Sequence, residues 1–80
     1  MKPLTRKQAI DLCGLEAVNR VESANADFSG RELEDTIEFT ASVQCGDDTL
    51  TAYYYQDRRD VDAVENLDDL SWTVMHYTVG

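Results

Sequence analysis

The stretch from Thr36 to Gln44 restricts the fold more than any other part of the chain, because polar and apolar residues alternate along it without a break. Its odd-numbered positions carry Ile, Phe, Ala and Val, and Cys45 continues that series. Since successive side chains of a strand point to opposite faces, this pattern predicts a half-buried β-strand. We expect a turn at residues 46–49 and a second strand over residues 50–55, which together make a hairpin.

The hairpin has one register that we favour, with Cys45 opposite Leu50. The apolar faces of the two strands then coincide, as they must when one face is buried. The other predicted pairs are Val43 with Ala52 and Ala41 with Tyr54, and Tyr53 and Tyr55 lie on the outer face with Ser42 and Thr40.

A helical segment precedes the hairpin. Thr5 and Gln8 have the spacing of a capping box, which predicts a helix that begins at Arg6. Gly14 interrupts the segment, and a glycine within a helix costs about 0.5–1 kcal/mol relative to alanine. The pattern therefore predicts either one kinked helix or two short ones, over residues 5–13 and 15–24, followed by a loop at 25–30. The apolar stripe of this segment is Ile10, Cys13, Ala17, Val21 and Ala24.

The C-terminal third is expected to form a short helix and a third strand. Val61, Val64 and Leu67 recur at a spacing of three, which predicts a helix near residues 59–66. Residues 70–79 are rich in β-branched and aromatic types, and a strand there has apolar groups on both faces. Such a strand is central in its sheet or is covered on both sides, for example by a second subunit. We predict one α+β domain over residues 1–80: an N-terminal helical segment packed on a three-stranded antiparallel sheet, with a short helix between strands 2 and 3.

The charge is distributed unevenly along the chain. Residues 21–80 contain 14 acidic residues and three arginines, a net charge of -11, whereas the first twenty residues carry +2. Such acidity argues against direct binding of nucleic acid and favours either a cationic partner or a role in solubility. No apolar run approaches the length that crosses a membrane, so we expect a cytoplasmic protein without a membrane partner.

Catalytic and metal-binding patterns are weak. The single histidine, His76, falls within a predicted strand with no nucleophile beside it, which argues against a catalytic triad. A calcium loop that starts at Asp60 would need a glycine at Glu65 and a glutamate at Ser71. We therefore predict a protein that is not an enzyme and has no cofactor or metal, while a small hydrolase with a raised-pKa carboxylate in a cleft stays open.

Cys13 and Cys45 are too few for a zinc site and have no CxxC spacing. They fit two reduced thiols on apolar faces, and a bridge within the chain or between two copies is the alternative. Cys45 lies beside the predicted turn, so we expect it to be the crosslinking residue if a homodimer forms.

The acids themselves are the remaining candidate site. We expect Asp62, Glu65 and Asp69 to share one face of the short helix, and Glu34 and Glu38 to point the same way from the first strand. Outward tyrosines suit interface anchors. The alternative is that the acids serve only solubility, as in a small adaptor protein of a salt-adapted cytoplasm. The predicted partner-binding residues are the acids Glu38, Asp47, Asp48, Asp57, Asp60, Asp62, Glu65, Asp68 and Asp69 and the anchors Tyr53 and Tyr55.

In its size, its acidity, its helix-plus-hairpin build and its lack of a catalytic constellation, the chain resembles the small phage-encoded anti-CRISPR proteins. The resemblance covers the whole chain and rests on its character, without a shared motif. It implies a non-enzymatic inhibitor whose acidic, nucleic-acid-mimicking surface binds a basic groove of a type I CRISPR effector, such as that of a nucleic-acid-binding Cas subunit. For a phage-encoded protein it also implies action in the host cytoplasm.

Overall fold

The computed structural model describes residues 2–80 as an α+β fold, which confirms the predicted class. Four strands form one antiparallel sheet in the order β1-β2-β3-β4, so the prediction of three strands was wrong. In chain order the elements are α1 (Arg6–Cys13), α2 (Leu15–Ser23), β1 (Asp27–Glu32), β2 (Thr36–Cys45), β3 (Asp48–Asp57), α3 (Arg58–Ala63), a 3₁₀ turn (Leu67–Asp69) and β4 (His76–Val79).

Strands β2 and β3 form the predicted hairpin in a different register. Cys45 pairs with Asp48 instead of Leu50, which shortens the turn to Gly46 and Asp47. Gly46 has a φ of 60°, the positive value that a type II′ turn gives to its first residue. The register differs from the prediction by two residues, so every side chain keeps its predicted face. The observed pairs include Val43 with Leu50, Ala41 with Ala52, Thr40 with Tyr53 and Glu38 with Tyr55.

Strand β1 occupies a segment that was expected to be a loop through residue 30. All six of its residues are exposed, so it lacks the alternation that identifies a half-buried strand. It pairs with β2 through Phe28 opposite Phe39, and an irregularity that includes Gly30 shifts the register before Glu32. The strand therefore forms an exposed edge of the sheet.

The N-terminal segment consists of two short helices, one of the two predicted forms. The predicted capping box is present. The backbone N–H of Gln8 donates to Thr5 Oγ1 at 3.2 Å, and the backbone N–H of Thr5 donates to Gln8 Oε1 at 2.9 Å. Gly14 separates the helices with φ 90° and ψ 154°, a backbone conformation that is almost restricted to glycine. Fully buried Val18 and Val21 of α2 belong to the same core cluster as Leu50 of β3.

The segment between β3 and β4 departs most from prediction. Helix α3 ends at Ala63, and the last strand begins only at His76, so residues 70–75 are not the start of a strand. Trp72 instead packs on the inner face of the sheet, where its ring meets those of Phe39 and Tyr54 edge to face, at centroid distances of 5.0 and 5.5 Å. Packing against the core, rather than a central strand position, accounts for Trp72 and Val74, whereas Met75 of the same segment is exposed.

Strand β4 is an outer strand, and the chain's own N-terminal segment lies along part of its free edge. Leu4 forms an antiparallel bridge with Tyr77 through two backbone hydrogen bonds of 2.8 and 3.0 Å. The helices and Trp72 cover the inner face, while no helix within residues 2–80 packs on the opposite face of the sheet. Among residues 2–80, no helix is both long enough and apolar enough to cross a membrane.

Candidate interaction surface

Two acidic segments meet at one end of the sheet, and we call residues 32–35 and 57–69 together the acidic end. The amide of Arg58 donates to the carbonyl of Asp35 at 3.0 Å, which joins the two segments directly. Thr36 and Asp57 pair across the sheet at the same place. The two segments contain nine carboxylates and only two arginines. The acidic end is therefore a concentrated source of negative potential.

The two arginines neutralise little of this charge. Arg58 Nη2 lies 3.5 Å from Glu32 Oε2, and Arg59 Nε lies 3.6 Å from Asp57 Oδ1. All four side chains are at least 40% exposed, and ion pairs of this kind contribute about 0–1 kcal/mol. Within the described part of the chain the other acids of the acidic end have no ion pair. These acids are Glu34, Asp35, Asp60, Asp62, Glu65, Asp68 and Asp69.

The local geometry of these acids differs from the prediction. Because α3 ends at Ala63, Glu65 lies in a bend and Asp69 in the 3₁₀ turn, so they do not share a helical face with Asp62. Glu34 lies in the bend before β2 and is not part of that strand. All four side chains are exposed nevertheless. The contact that fixes their two segments to each other is the hydrogen bond from Arg58 to Asp35.

Asp47 and Asp48 are separated from the acidic end. They lie at the turn of the β2–β3 hairpin, whereas Asp57 lies at its open end. At roughly 3.3 Å per residue, β3 carries Asp48 about 30 Å from Asp57. The predicted acidic residues thus form two exposed areas, of which the acidic end is much the larger.

Glu38 lies on the outer face of the sheet, but it is only 5% exposed. Its carboxylate accepts hydrogen bonds from Ser29 Oγ at 2.9 Å and from the Tyr55 hydroxyl at 3.0 Å. Burial and the hydrogen bond to Glu38 raise the pKa of Tyr55. The hydrogen bond to Glu38 therefore fixes the Tyr55 side chain in place. Because the Glu38 carboxylate is buried, it is less accessible to a partner than an exposed acid is.

The two predicted anchors, Tyr53 and Tyr55, are half-buried and share the outer face with His76. The Tyr53 ring stacks on His76 at a centroid distance of 4.4 Å and an angle of 15°, and Tyr55 is tilted against His76 at 5.9 Å. His76 is opposite Tyr53 in the β3–β4 register, so a correct assignment of β4 would have identified this contact. These three rings form an aromatic patch whose arrangement is set by contacts within the protein itself.

A further polar group lies on the helical side of the sheet. Arg6 holds Glu22 through two hydrogen bonds of 3.1 Å, and the Tyr77 hydroxyl donates to Glu22 Oε2 at 2.7 Å. The hydrogen bond from Arg6 lowers the pKa of Glu22, while burial and the contact with Glu22 raise that of Tyr77. Glu22 lines a cavity of about 400 Å³, together with Trp72. A carboxylate kept ionised in this way is opposite to the raised-pKa acid that a hydrolase would need.

Two other kinds of observation bear on function. Within residues 2–80, no group of three or more His, Cys, Asp or Glu side chains is arranged to hold a metal ion. No protein-family model, no curated protein and no solved structure matches this chain. The acidic end, the hairpin turn and the aromatic patch are therefore the candidate functional features of residues 2–80.

Proposed function

We propose that the protein is a non-enzymatic inhibitor that binds a basic surface of a nucleic-acid-processing complex through its acidic end. The observation that carries this proposal is the hydrogen bond between Arg58 and Asp35, which joins two segments that together carry seven exposed carboxylates without ion pairs within residues 2–80. Fixed charge of one sign speeds encounter with an oppositely charged surface and makes the affinity fall with salt.

A groove that normally holds nucleic acid is a suitable partner because its lysines and arginines are placed to neutralise phosphates. A protein that brings carboxylates to such a groove competes with the nucleic acid for the same cations. The resemblance to anti-CRISPR proteins points to a basic Cas subunit of a type I CRISPR effector. The aromatic patch of Tyr53, Tyr55 and His76 supplies rigid rings of the kind found at binding hot spots.

The test compares three double variants with equal changes in net charge. Asp62→Lys with Glu65→Lys reverses the acidic end, where neither side chain has an ion pair within residues 2–80. A second variant reverses Asp47 and Asp48 at the hairpin turn. The matched control reverses Asp11 and Glu16, two exposed acids of the helices. Binding of each to an immobilised type I effector complex is measured at several salt concentrations, and circular dichroism verifies the fold.

We expect the acidic-end variant to lose affinity by about 100-fold or more. Its two lysines would face the cations of the basic partner, and like charges that face each other across an interface cost several kcal/mol of binding free energy. The control should change by less than about fivefold, and the hairpin-turn variant should fall between the two. Equal losses in all three variants would mean that only net charge matters, and unchanged binding of the acidic-end variant would overturn the proposal. Absence of wild-type binding, with thermal stability that rises steeply in molar KCl, would favour the salt-adapted adaptor instead.

A further inference from the structure

A second cavity is lined by the end of α2 and by the 3₁₀ turn, and we call it the small cavity. Its volume is about 220 Å³, below the roughly 300–1,000 Å³ of sites that take drug-sized ligands. Ala24, Ala26 and Leu67 belong to its apolar lining. Glu22 and Asp68 are its charged lining, and within residues 2–80 no lysine, arginine or histidine lines it. The small cavity therefore suits one group of side-chain size, and its charge favours a cation.

The aromatic lining of the small cavity is Tyr54 and Trp72, whose rings meet edge to face at a centroid distance of 5.5 Å and an angle of 87°. The indole N–H of Trp72 donates to the carbonyl of Leu67 at 3.0 Å, which ties the 3₁₀ turn to the ring. Because Asp68 follows Leu67 directly, this hydrogen bond also keeps the Asp68 backbone near the indole. The lining is thus largely pre-formed, as it is in most ligand sites.

The hydroxyl of Tyr54 is a buried polar group without a partner. The residue is only 4% exposed. Within residues 2–80 the hydroxyls of the other three tyrosines each have a hydrogen-bond partner, whereas that of Tyr54 has none. No side-chain polar atom of residues 2–80 that is sealed from solvent lacks a partner, so the Tyr54 hydroxyl reaches open space. Tyr54 and Glu22 both line the small cavity, and the charge of Glu22 contributes to the raised pKa of Tyr54. A ligand that donates to this oxygen would satisfy it.

We propose that the small cavity binds a guanidinium group, such as the end of an arginine side chain. A guanidinium has five N–H donors and no acceptor, so it can donate to the Tyr54 oxygen and to the carboxylates of Glu22 and Asp68. Its planar face also stacks on aromatic rings, and tryptophan is the best of these for a cation. The cavity of about 400 Å³ is a poorer site, because Arg6 lines it and repels a cation. The inference stands whether or not the acidic end binds a nucleic-acid-processing complex.

Glu22 keeps the capacity for such a ligand. Its carboxylate accepts two hydrogen bonds from Arg6 and one from Tyr77, whereas an ionised carboxylate has about four acceptor positions. The hydrogen bond from Arg6 lowers the pKa of Glu22, which keeps the carboxylate ionised at neutral pH. Asp68 adds a second carboxylate that has no ion pair within residues 2–80. Arg6 can therefore balance only one of the two negative charges.

Trp72 is the only tryptophan of the chain, so its fluorescence reports binding at the small cavity directly. The wild type is titrated with N-acetyl-arginine amide, whose guanidinium is its only charge. N-acetyl-citrulline amide, a neutral analogue of the same shape, is the matched control ligand. We expect a saturable change in emission with a Kd on the order of 1 mM for the arginine compound. The citrulline compound should bind at least about tenfold more weakly, because its hydrogen bonds lack the positive charge.

Two aspartates of the 3₁₀ turn provide a matched pair of variants. Asp68→Asn and Asp69→Asn remove the same charge from adjacent positions, and only Asp68 lines the small cavity. We expect Asp68→Asn to weaken binding of the arginine compound by about threefold or more, and Asp69→Asn by less than about twofold. Tyr54→Phe keeps the ring and should weaken binding by about fivefold. Circular dichroism verifies the fold of each variant.

Several results would overturn the inference. Equal affinity for the arginine and citrulline compounds would show that the guanidinium charge is not recognised. Equal weakening by Asp68→Asn and Asp69→Asn would show attraction to net charge alone. Wild-type binding that never saturates, or a folded Tyr54→Phe variant with unchanged affinity, would also contradict it. If Tyr54→Phe fails to fold, the two ligands and the two aspartate variants still decide. None of these results bears on the acidic end, whose binding to an effector complex is measured separately.

Discussion

Replacing Tyr77 with phenylalanine removes one hydroxyl from the group that Arg6, Glu22 and Tyr77 form. The ring is 3% exposed, and phenylalanine keeps its packing, so the change isolates the 2.7 Å hydrogen bond to Glu22. Hydrogen bonds to charged groups contribute about 1.5–3 kcal/mol. Arg6 still donates to both oxygens, and the Glu22 side chain is 29% exposed to water. We therefore expect a loss at the lower end, about 1.5 kcal/mol in the free energy of unfolding.

The pH dependence of this loss has a definite sign on each side of neutrality. The folded pKa of Glu22 is lowered from 4.5, so its contribution is present above that value and is lost as the pH falls through the folded pKa. The folded pKa of Tyr77 is raised from 10.0, so its contribution is present below that value and is lost as the pH rises toward the folded pKa. The difference between wild type and variant should be largest between these limits and shrink beyond both.

Urea denaturation and thermal denaturation, both followed by circular dichroism at a series of pH values, measure this difference as a free energy and as a melting temperature. At pH 7 the variant should melt roughly 6–12 °C below the wild type, given about 4–8 °C per kcal/mol for a domain of this size. Equal stability at pH 7 would refute the hydrogen bond. A difference that stays constant down to pH 2 would show that the loss comes from packing and not from the ionised carboxylate.

Two further substitutions test the break between α1 and α2 at Gly14 and the segment that carries Trp72 before β4. Gly14→Ala should cost about 1–3 kcal/mol because of the backbone conformation, although no atom lies within 4 Å of the added carbon; an unchanged urea midpoint would contradict this. Trp72→Ala should cost about 3 kcal/mol or more, because the ring packs on two core aromatic side chains. Met75→Ala, at a position 64% exposed in the same segment, is the control and should stay within about 0.5 kcal/mol of the wild type in the same assay.

The hairpin could be predicted because one face of β2 is buried along most of its length, and the strand therefore alternates apolar and polar residues. The register could not be predicted from this alternation, since a shift of two residues leaves every side chain on the same face. The short turn decides between the alternatives, and the Gly46-Asp47 pair, a sequence signal for a two-residue type II′ turn, is the feature that the predicted four-residue turn overlooked. Strand β1 was missed because all its residues are exposed; it is held by backbone pairing with β2 and by the contact of Phe28 with Phe39.

The candidate site, like the fold, could be predicted from the sequence only in part. The number of acids indicated that most of them would be exposed. Their arrangement, however, depended on where α3 ends and on how residues 64–75 cross the inner face of the sheet. Trp72 was assigned to a strand because aromatic residues suit both strands and irregular packed segments. The burial of Glu38 required two partners, Ser29 and Tyr55, from strands on either side of β2, one of which had not been predicted.

The bridge between Leu4 and Tyr77 has a consequence for the order in which the molecule folds. The β2–β3 hairpin joins residues that are close in the chain, whereas this bridge closes a loop that takes in almost the whole sequence. Closing such a loop costs more entropy than forming the hairpin turn, unless the intervening sheet is already in place. We therefore expect the N-terminal segment to dock only after β4 has paired with β3, because that pairing puts Tyr77 in place beside Leu4.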